Sequence, residues 1–245
     1  MNDLYIRGVR IRKDEIENFN EYPFNIPIIN SLESLEFNSR VTFLVGENGT
    51  GKSTLIEAIA TCFGFNPEGG SKNFRFSTND THSDLYRYLT ISKGIRRPKD
   101  GFFLRAESFY NVSTEIDTLN DVVPSTFLAS YGGKSLHDQS HGESFLSLVM
   151  NRFFGKGLYI LDEPEAALSP TRQMSLLVKI HDLVKDDSQF IIATHSPILL
   201  AYPDSEIYVL NDNKLVRTRY EETEHYIITK QFLNNTGKML KELLR

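Results

Sequence analysis

The chain holds one run, Gly46-Glu47-Asn48-Gly49-Thr50-Gly51-Lys52-Ser53-Thr54, in which glycines, a lysine and hydroxyls stand at the spacing G-x-x-x-x-G-K-[ST]. Each residue type has a use toward phosphate. The glycines let the backbone wrap close to an anion. Successive N–H groups and the positive end of a following helix attract it. Lys52 has the reach for β and γ phosphates, and the Ser53 hydroxyl suits Mg²⁺. Far downstream comes Asp162-Glu163, paired acids that close an apolar run. Asp162 fits a metal ligand, direct or through water, and Glu163 a base that orients or deprotonates an attacking water. His195 follows another apolar run, at the place where open α/β sheets put ligands.

These groups need particular elements to hold them. Val41-Thr42-Phe43-Leu44-Val45 reads as a buried strand feeding the glycine loop. Leu55, Ile56, Ile59, Ala60 and Phe63 recur at helical spacing after it. Leu158 to Leu161 and Phe190 to Ala193 read as buried strands that deliver Asp162-Glu163 and Thr194-His195-Ser196. A helix is expected from Pro170, a favoured first-turn residue. Another helix carries Phe145, Leu146, Leu148, Val149, Phe153 and Phe154, with Ser140 and Glu143 spaced as a capping box at its start.

Elsewhere the pattern is weaker. Leu4 to Arg12 alternates apolar and charged residues, as a half-exposed strand does. Residues 13 to 39 read as turns and short strands, and their aromatics Phe19, Tyr22 and Phe24 are suited to packing or to stacking on a base. Asn66 to Asp80 reads as loop, Asp80 to Ile91 as helix, and Ile91 to Gly101 as a basic loop. Phe102 to Glu107 reads as a strand ending in a carboxylate, and Asn111 to Leu119 as a short helix. A hairpin over Ile207 to Arg217 and helices near 225–234 and 237–244 complete the pattern.

Bulk properties narrow the class. The chain has 245 residues, 27 Lys+Arg against 32 Asp+Glu, a net charge of -5 and one cysteine, Cys62. An intrachain disulfide is impossible, which suits a reducing compartment. The charge balance does not announce nucleic-acid binding, although Lys93, Arg96, Arg97 and Lys99 form a local basic cluster. No apolar run approaches the roughly 18 residues that span a bilayer. The opening Met1-Asn2-Asp3-Leu4 is unlike a signal peptide.

Taken in order, the phosphate loop, Ser140-His141-Gly142, Leu161-Asp162-Glu163-Pro164, Ala167-Leu168-Ser169 and Thr194-His195-Ser196 resemble the ABC-type ATPase family. The forms Asp162-Glu163-Pro164-Glu165-Ala166-Ala167-Leu168 and Ala193-Thr194-His195-Ser196-Pro197 look like its non-transporter branch, the small stand-alone bacterial ATPases related to SMC and RecF-like heads. The resemblance implies an α/β P-loop fold: a layered sheet with flanking helices and a smaller helical lobe. It implies one domain over 1–245, with a core lobe of about 1–65 and 156–245 and a signature lobe of about 66–155. It implies that Asn48, Gly49, Thr50, Gly51, Lys52, Ser53 and Thr54 bind the phosphates of ATP. Ser53 and Asp162 share Mg²⁺, Glu163 is the base, and His195 contacts the γ-phosphate. Ser140 and Gly142 belong to a signature that meets the ATP of an opposite subunit, so an ATP-dependent homodimer is expected. The family's strand-end glutamine is absent, and Glu107, at the end of the nearest expected strand, is the candidate for that metal-facing place. His141 and Glu143 depart from the usual signature.

The expected protein is a cytoplasmic, ATP-hydrolysing switch acting with an effector protein or nucleic acid, in DNA repair or defence. The alternative is the ATPase subunit of a membrane transporter. With only about 110 residues from Lys52 to Asp162 and no heptads, a chromosome-tethering coiled-coil arm is excluded.

Overall fold

Short apolar runs form the middle of the molecule. The computed structural model describes residues 3–72, 83–122, 137, 141–211 and 213–245. In chain order its strands are β1 (Ile6–Ile11), β2 (Ser34–Glu36), β3 (Val41–Val45), β4 (Leu89–Lys93), β5 (Asp100–Arg105), β6 (Gly157–Asp162), β7 (Gln189–Ala193), β8 (Glu206–Asn211) and β9 (Lys214–Thr218). Its helices are α1 (Pro27–Ser31), α2 (Lys52–Phe63), α3 (Phe109–Val122), α4 (His141–Arg152), α5 (Pro170–Lys185), α6 (Glu224–Asn234) and α7 (Thr236–Leu243).

The main sheet has the order β5-β6-β7-β3-β8-β9. All neighbours are parallel except the hairpin β8–β9. The residues of β3, β6 and β7 are buried on both faces, which is why they read as unbroken apolar runs. Alternate residues serve alternate layers. Phe43, Tyr159, Leu161, Phe190 and Ile192 pack with Phe145, Leu148, Leu176 and Ile180 of α4 and α5. Leu44, Ile160 and Ile191 pack on the other face with Leu55, Ile56 and Ile59 of α2. The second sheet, β2-β1-β4, is antiparallel and joins this second layer.

One amide ties the two sheets. The buried Gln189 side chain accepts from the N–H of Tyr5 (2.8 Å) and Ile6 (2.9 Å) and donates to the Ile6 carbonyl (2.8 Å). At the same end Asp100 accepts from Arg152 (2.7 Å) and from the Tyr159 hydroxyl (2.7 Å).

The α/β layered fold is as the sequence pattern requires. The helix expected over Asp80 to Ile91 is a correction. Asp84–Tyr88 is a short 3-10 turn capped by the Ser83 hydroxyl, and Leu89–Lys93 is strand β4. The backbone groups of Thr90 and Ile91 are taken by pairing with Arg10 and Val9 of β1, a long-range demand that local periodicity does not register. The expected strand over Phe102–Glu107 ends at Arg105.

Candidate functional site

The register of the main sheet sets up the site. Arg105 of β5 lies opposite Asp162 of β6, Asp162 opposite Ala193 of β7, and Ala193 opposite Leu44 of β3. Glu163 and His195 follow within two residues of that row and the glycine loop follows Leu44, all at the carboxyl ends of parallel strands.

The loop after β3 is closely constrained. A Cβ on Gly46 would sit 2.7 Å from the Leu210 carbonyl oxygen, and one on Gly51 would sit 2.9 Å from Ile26 Cγ2. Gly51 also has φ +93°, a left-handed conformation that side chains resist. Lys52 opens α2 and is buried. Its ammonium donates to the Gly46 and Glu47 carbonyls at 2.6 and 2.7 Å, so it is folded over the loop mouth. Burial lowers its pKa, against the pull of Glu163 and Asp162. The Ser53 hydroxyl donates to Asp162 Oδ1 at 3.2 Å across the gap between α2 and β6. The next residue, Thr54, has its hydroxyl 3.4 Å from the hydroxyl of Tyr22, a residue that is 62% exposed. Phe24 is buried edge-on against Tyr88.

Asp162 is almost wholly buried. Burial pushes its pKa up to about 7; Arg105 pulls the other way, and Glu163 pushes it further up. Arg105 Nε lies 3.7 Å from Asp162 Oδ2, its Nη1 lies 2.6 Å from buried Glu57, and its Nη2 lies 3.6 Å from Glu107. Glu107 stands in the turn after β5 with its side chain 86% exposed, on the solvent side of Arg105. Glu163 has φ 51°, ψ 51° ahead of Pro164. A left-handed non-glycine residue costs about 1 kcal/mol, the kind of strain that concentrates at functional sites. Here it turns the carboxylate out of the strand while the Glu163 N–H still bonds the Ala193 carbonyl at 2.9 Å.

His195 stands across from it. Its Nε2 is 3.5 Å from Glu163 Oε1, and that nitrogen is buried without a hydrogen-bond partner. Its backbone N–H donates to Glu165 Oε1, and its Nδ1 lies 3.1 Å from His225 Nε2 at the start of α6. The Ser196 hydroxyl donates to Gln173 Oε1 at 2.5 Å and receives the N–H groups of Ile198 and Leu199, which locks the turn after β7. A cleft of 720 Å³ opens here, lined by Glu47, Asn48, Glu163, His195 and His225 among others.

The structure thus brings together Lys52, Ser53, Asp162, Glu163 and His195, with Asn48 on the cleft wall. Gly142 lies in the first turn of α4, where a Cβ would meet the Ala167 carbonyl at 2.5 Å, and Glu143 pairs with Arg172 at 3.1 Å. Ser140 lies outside the described residues, and so does the capping arrangement expected of it. Four residues at the site carry no sequence signal as singled-out groups: Arg105, Glu57, Glu165 and His225. Arg105 and Glu57 sit inside apolar-patterned elements, and His225 arrives from a segment far along the chain.

A solved ATP-binding cassette of an ABC transporter superposes with TM-score 0.50 and 18% identity, covering 96% of this chain and 97% of that one. This chain has the fold of the ABC-type ATPases. The SMC head domain from Thermotoga maritima superposes with TM-score 0.45 and 15% identity, over 88% of this chain and 99% of that one. Two family models match. One, an AAA domain, covers residues 15–123, and a second AAA domain, described as a candidate AbiEii toxin of a Type IV TA system, covers residues 135–201. Among curated ABC relatives, the energy-coupling factor transporter ATP-binding protein EcfA of Methanosphaera stadtmanae is 26% identical over 71% of this chain and 67% of its own length. The xylose/arabinose import ATP-binding protein XylG of Sulfolobus acidocaldarius is 27% identical over 80% and 84%. ABC transporter G family member STR2 of Medicago truncatula is 25% identical over 73% of this chain, which spans only 26% of that protein. Among the described residues no helix is long and apolar enough to cross a membrane.

Proposed function

We infer that the chain binds ATP with Mg²⁺ and hydrolyses it, closing as a dimer around two nucleotides and opening after hydrolysis. The observation that carries this reading is the approach of Ser53 and Asp162 to 3.2 Å beneath the glycine loop, with Lys52, Glu163 and His195 around them. The donor set suits Mg²⁺, which takes one or two protein oxygens and completes its shell with water and phosphate. Bound Mg²⁺ would neutralise charge on the β and γ phosphates.

The chain's own groups have separate tasks. Lys52 exchanges the loop carbonyls for phosphate oxygens. Glu163 orients and deprotonates water, and the unpartnered Nε2 of His195 meets a terminal phosphate oxygen. Tyr22, exposed beside Thr54, takes the base in this reading. Glu107, outside Arg105, would take the metal-facing place of the absent glutamine. Gly142 and Ser140 act on the nucleotide of the opposite subunit. In this reading the chain is one ABC-type domain, with a core lobe of about 1–65 and 156–245 and a signature lobe of about 66–155. It works in the cytoplasm.

Lys52→Ala abolishes nucleotide binding in this reading, and undiminished binding of labelled ATP sinks the loop assignment. Glu163→Gln with ATP and Mg²⁺ runs as a dimer in light scattering, and a persistent monomer defeats the two-headed closure.

The coupled process is read as repair or defence, in the non-transporter branch. The departures His141 and Glu143 and the AbiEii-type description of the 135–201 match support it. A second reading, the motor subunit of a transporter, is favoured by the relatives EcfA and XylG, which are a transporter and an import ATP-binding protein. Pull-down with Glu163→Gln in ATP and Mg²⁺ separates the two: nucleic acid that is lost on nuclease treatment supports the first, and a stoichiometric membrane protein supports the second.

A further inference from the structure

We propose that His225 is a positioning residue for His195: its Nε2–H donates to His195 Nδ1 and thereby fixes His195 in the tautomer whose proton sits on Nε2, facing the nucleotide. The inference rests on the reading of His195 as a phosphate contact, but its central element is a hydrogen bond that exists without nucleotide.

A neutral imidazole carries one donor and one acceptor, and the partner of one nitrogen decides the other. His195 Nδ1 and His225 Nε2 are 3.1 Å apart, so one of them must donate. Were His195 Nδ1 the donor, its Nε2 would present a lone pair to the Glu163 carboxylate at 3.5 Å, two acceptors face to face. With His225 donating, His195 presents an N–H in that direction, and the buried, unpartnered Nε2 becomes a donor held in reserve for an incoming oxygen. Burial and the charge of Lys52 lower the pKa of His195, against the opposing pull of Glu163. Burial and Lys52 likewise lower that of His225, with Glu224 opposing. The pair is therefore neutral near pH 7, where the tautomer matters.

The placement of His225 is built rather than incidental. It is the second residue of α6, whose start is capped by the Thr223 hydroxyl accepting from the Tyr226 N–H at 3.4 Å. Thr223 is itself buried and donates to the Tyr220 carbonyl at 2.7 Å. The Tyr220 hydroxyl donates to the Pro197 carbonyl at 2.9 Å, two residues beyond His195. The segment bearing His225 is thus fastened to the turn bearing His195 by a second, separate bond. Ring contact between Tyr220 and Tyr226, with centroids 4.6 Å apart, stiffens the join.

Imidazole nitrogen NMR on the full chain without nucleotide reads the tautomer directly, with His195→Gln assigning the signal. The expected result is a His195 proton on Nε2 in the parent chain, a mixed or reversed tautomer in His225→Leu, and recovery in His225→Gln, whose amide can donate. In steady-state ATP hydrolysis, His225→Leu loses on the order of 10-fold or more in kcat with KM for ATP little changed, and His225→Gln recovers much of the loss. A proton on His195 Nδ1 in the parent chain overturns the proposal, as does a His225→Leu chain whose tautomer and kcat match the parent. If the tautomer responds as expected while no variant, nor the parent, hydrolyses ATP, the positioning role stands and the ATPase reading fails.

Discussion

The two ends of the main sheet put their buried polar groups to different uses. At the amino ends of β5 and β7, Asp100 is held by Arg152 and Tyr159, and Gln189 satisfies three backbone groups of β1 and its approach. At the carboxyl ends, Arg105 Nε, Glu165 Oε2 and His195 Nε2 are buried without a hydrogen-bond partner. A buried polar atom left unpaired costs roughly 1–3 kcal/mol. Arg40 Nη1 and Thr42 Oγ1, at the amino end of β3, also lack a partner, but neither lines the cleft beside Glu163, whereas Glu165 and His195 do. The gathering of unpaired groups at one opening, rather than their number, supports the ligand site proposed there.

Substitutions that exchange the behaviour of the two ends test the contrast. The largest effect falls on catalysis: Glu163→Gln lowers kcat for ATP hydrolysis by about 10²–10⁴-fold, the usual worth of a positioned base, and leaves the thermal midpoint nearly unchanged. Loss of the fold instead would mean that the carboxyl end is structural too. At the other end, Gln189→Leu strands two N–H groups and a carbonyl, costing about 2–4 kcal/mol. For a chain of this size that lowers Tm by roughly 5–15 °C in calorimetry, with kcat per folded molecule kept.

The third test is a pH profile. Unfolded, Asp162 releases its proton near the ordinary carboxylate value of 3.8; folded and metal-free, it holds the proton to about 7. Folding therefore takes up a proton in that window, and stability falls as pH rises from about 4 to about 7. In EDTA-treated protein, Asp162→Asn removes this slope and gains about 2–4 kcal/mol at pH 7 relative to the parent, while abolishing Mg²⁺-dependent activity. Parallel profiles for parent and variant would deny that Asp162 is held against its preference. The smallest effect belongs to Arg172→Gln, which removes the part-exposed pair with Glu143 and costs at most about 1 kcal/mol by denaturant titration.

Legibility in the sequence followed the same divide. Strands β3, β6 and β7 announce themselves because burial on both faces demands apolar runs, and the polar residues that end those runs name the site. Lys52, Ser53, Asp162, Glu163 and His195 are all found this way. Strand β4 was hidden because its partner β1 is distant in sequence and its first residues share a helical pattern with the turn before them. Arg105 was hidden because one cation at the end of an apolar strand looks like an exposed terminus; only the register with Asp162 shows where it stands. His225 could not be found from spacing, since its meaning comes from the bond between Tyr220 and Pro197 that folds its helix back onto the sheet. Sequence shows what a strand delivers, whereas contacts that arrive sideways depend on how the chain closes on itself.

Gly142 carries a mechanical consequence. Its backbone rests so close to the Ala167 carbonyl that even a methyl group would not fit. Ala167 ends the 3-10 turn that begins immediately after Glu163. The turn is a short rigid link with the carboxylate hinged at one end and the first turn of α4 seated on the other. Close packing leaves no slack in such a joint. On the proposed reading, a shift of Glu163 as its water or phosphate partner changes would press on the start of α4, and a load applied to that helix would press on Glu163. If the chain hydrolyses ATP as proposed, this contact is the linkage through which work done at the phosphate would reach the surface around α4, and through which that surface would hold the reaction back.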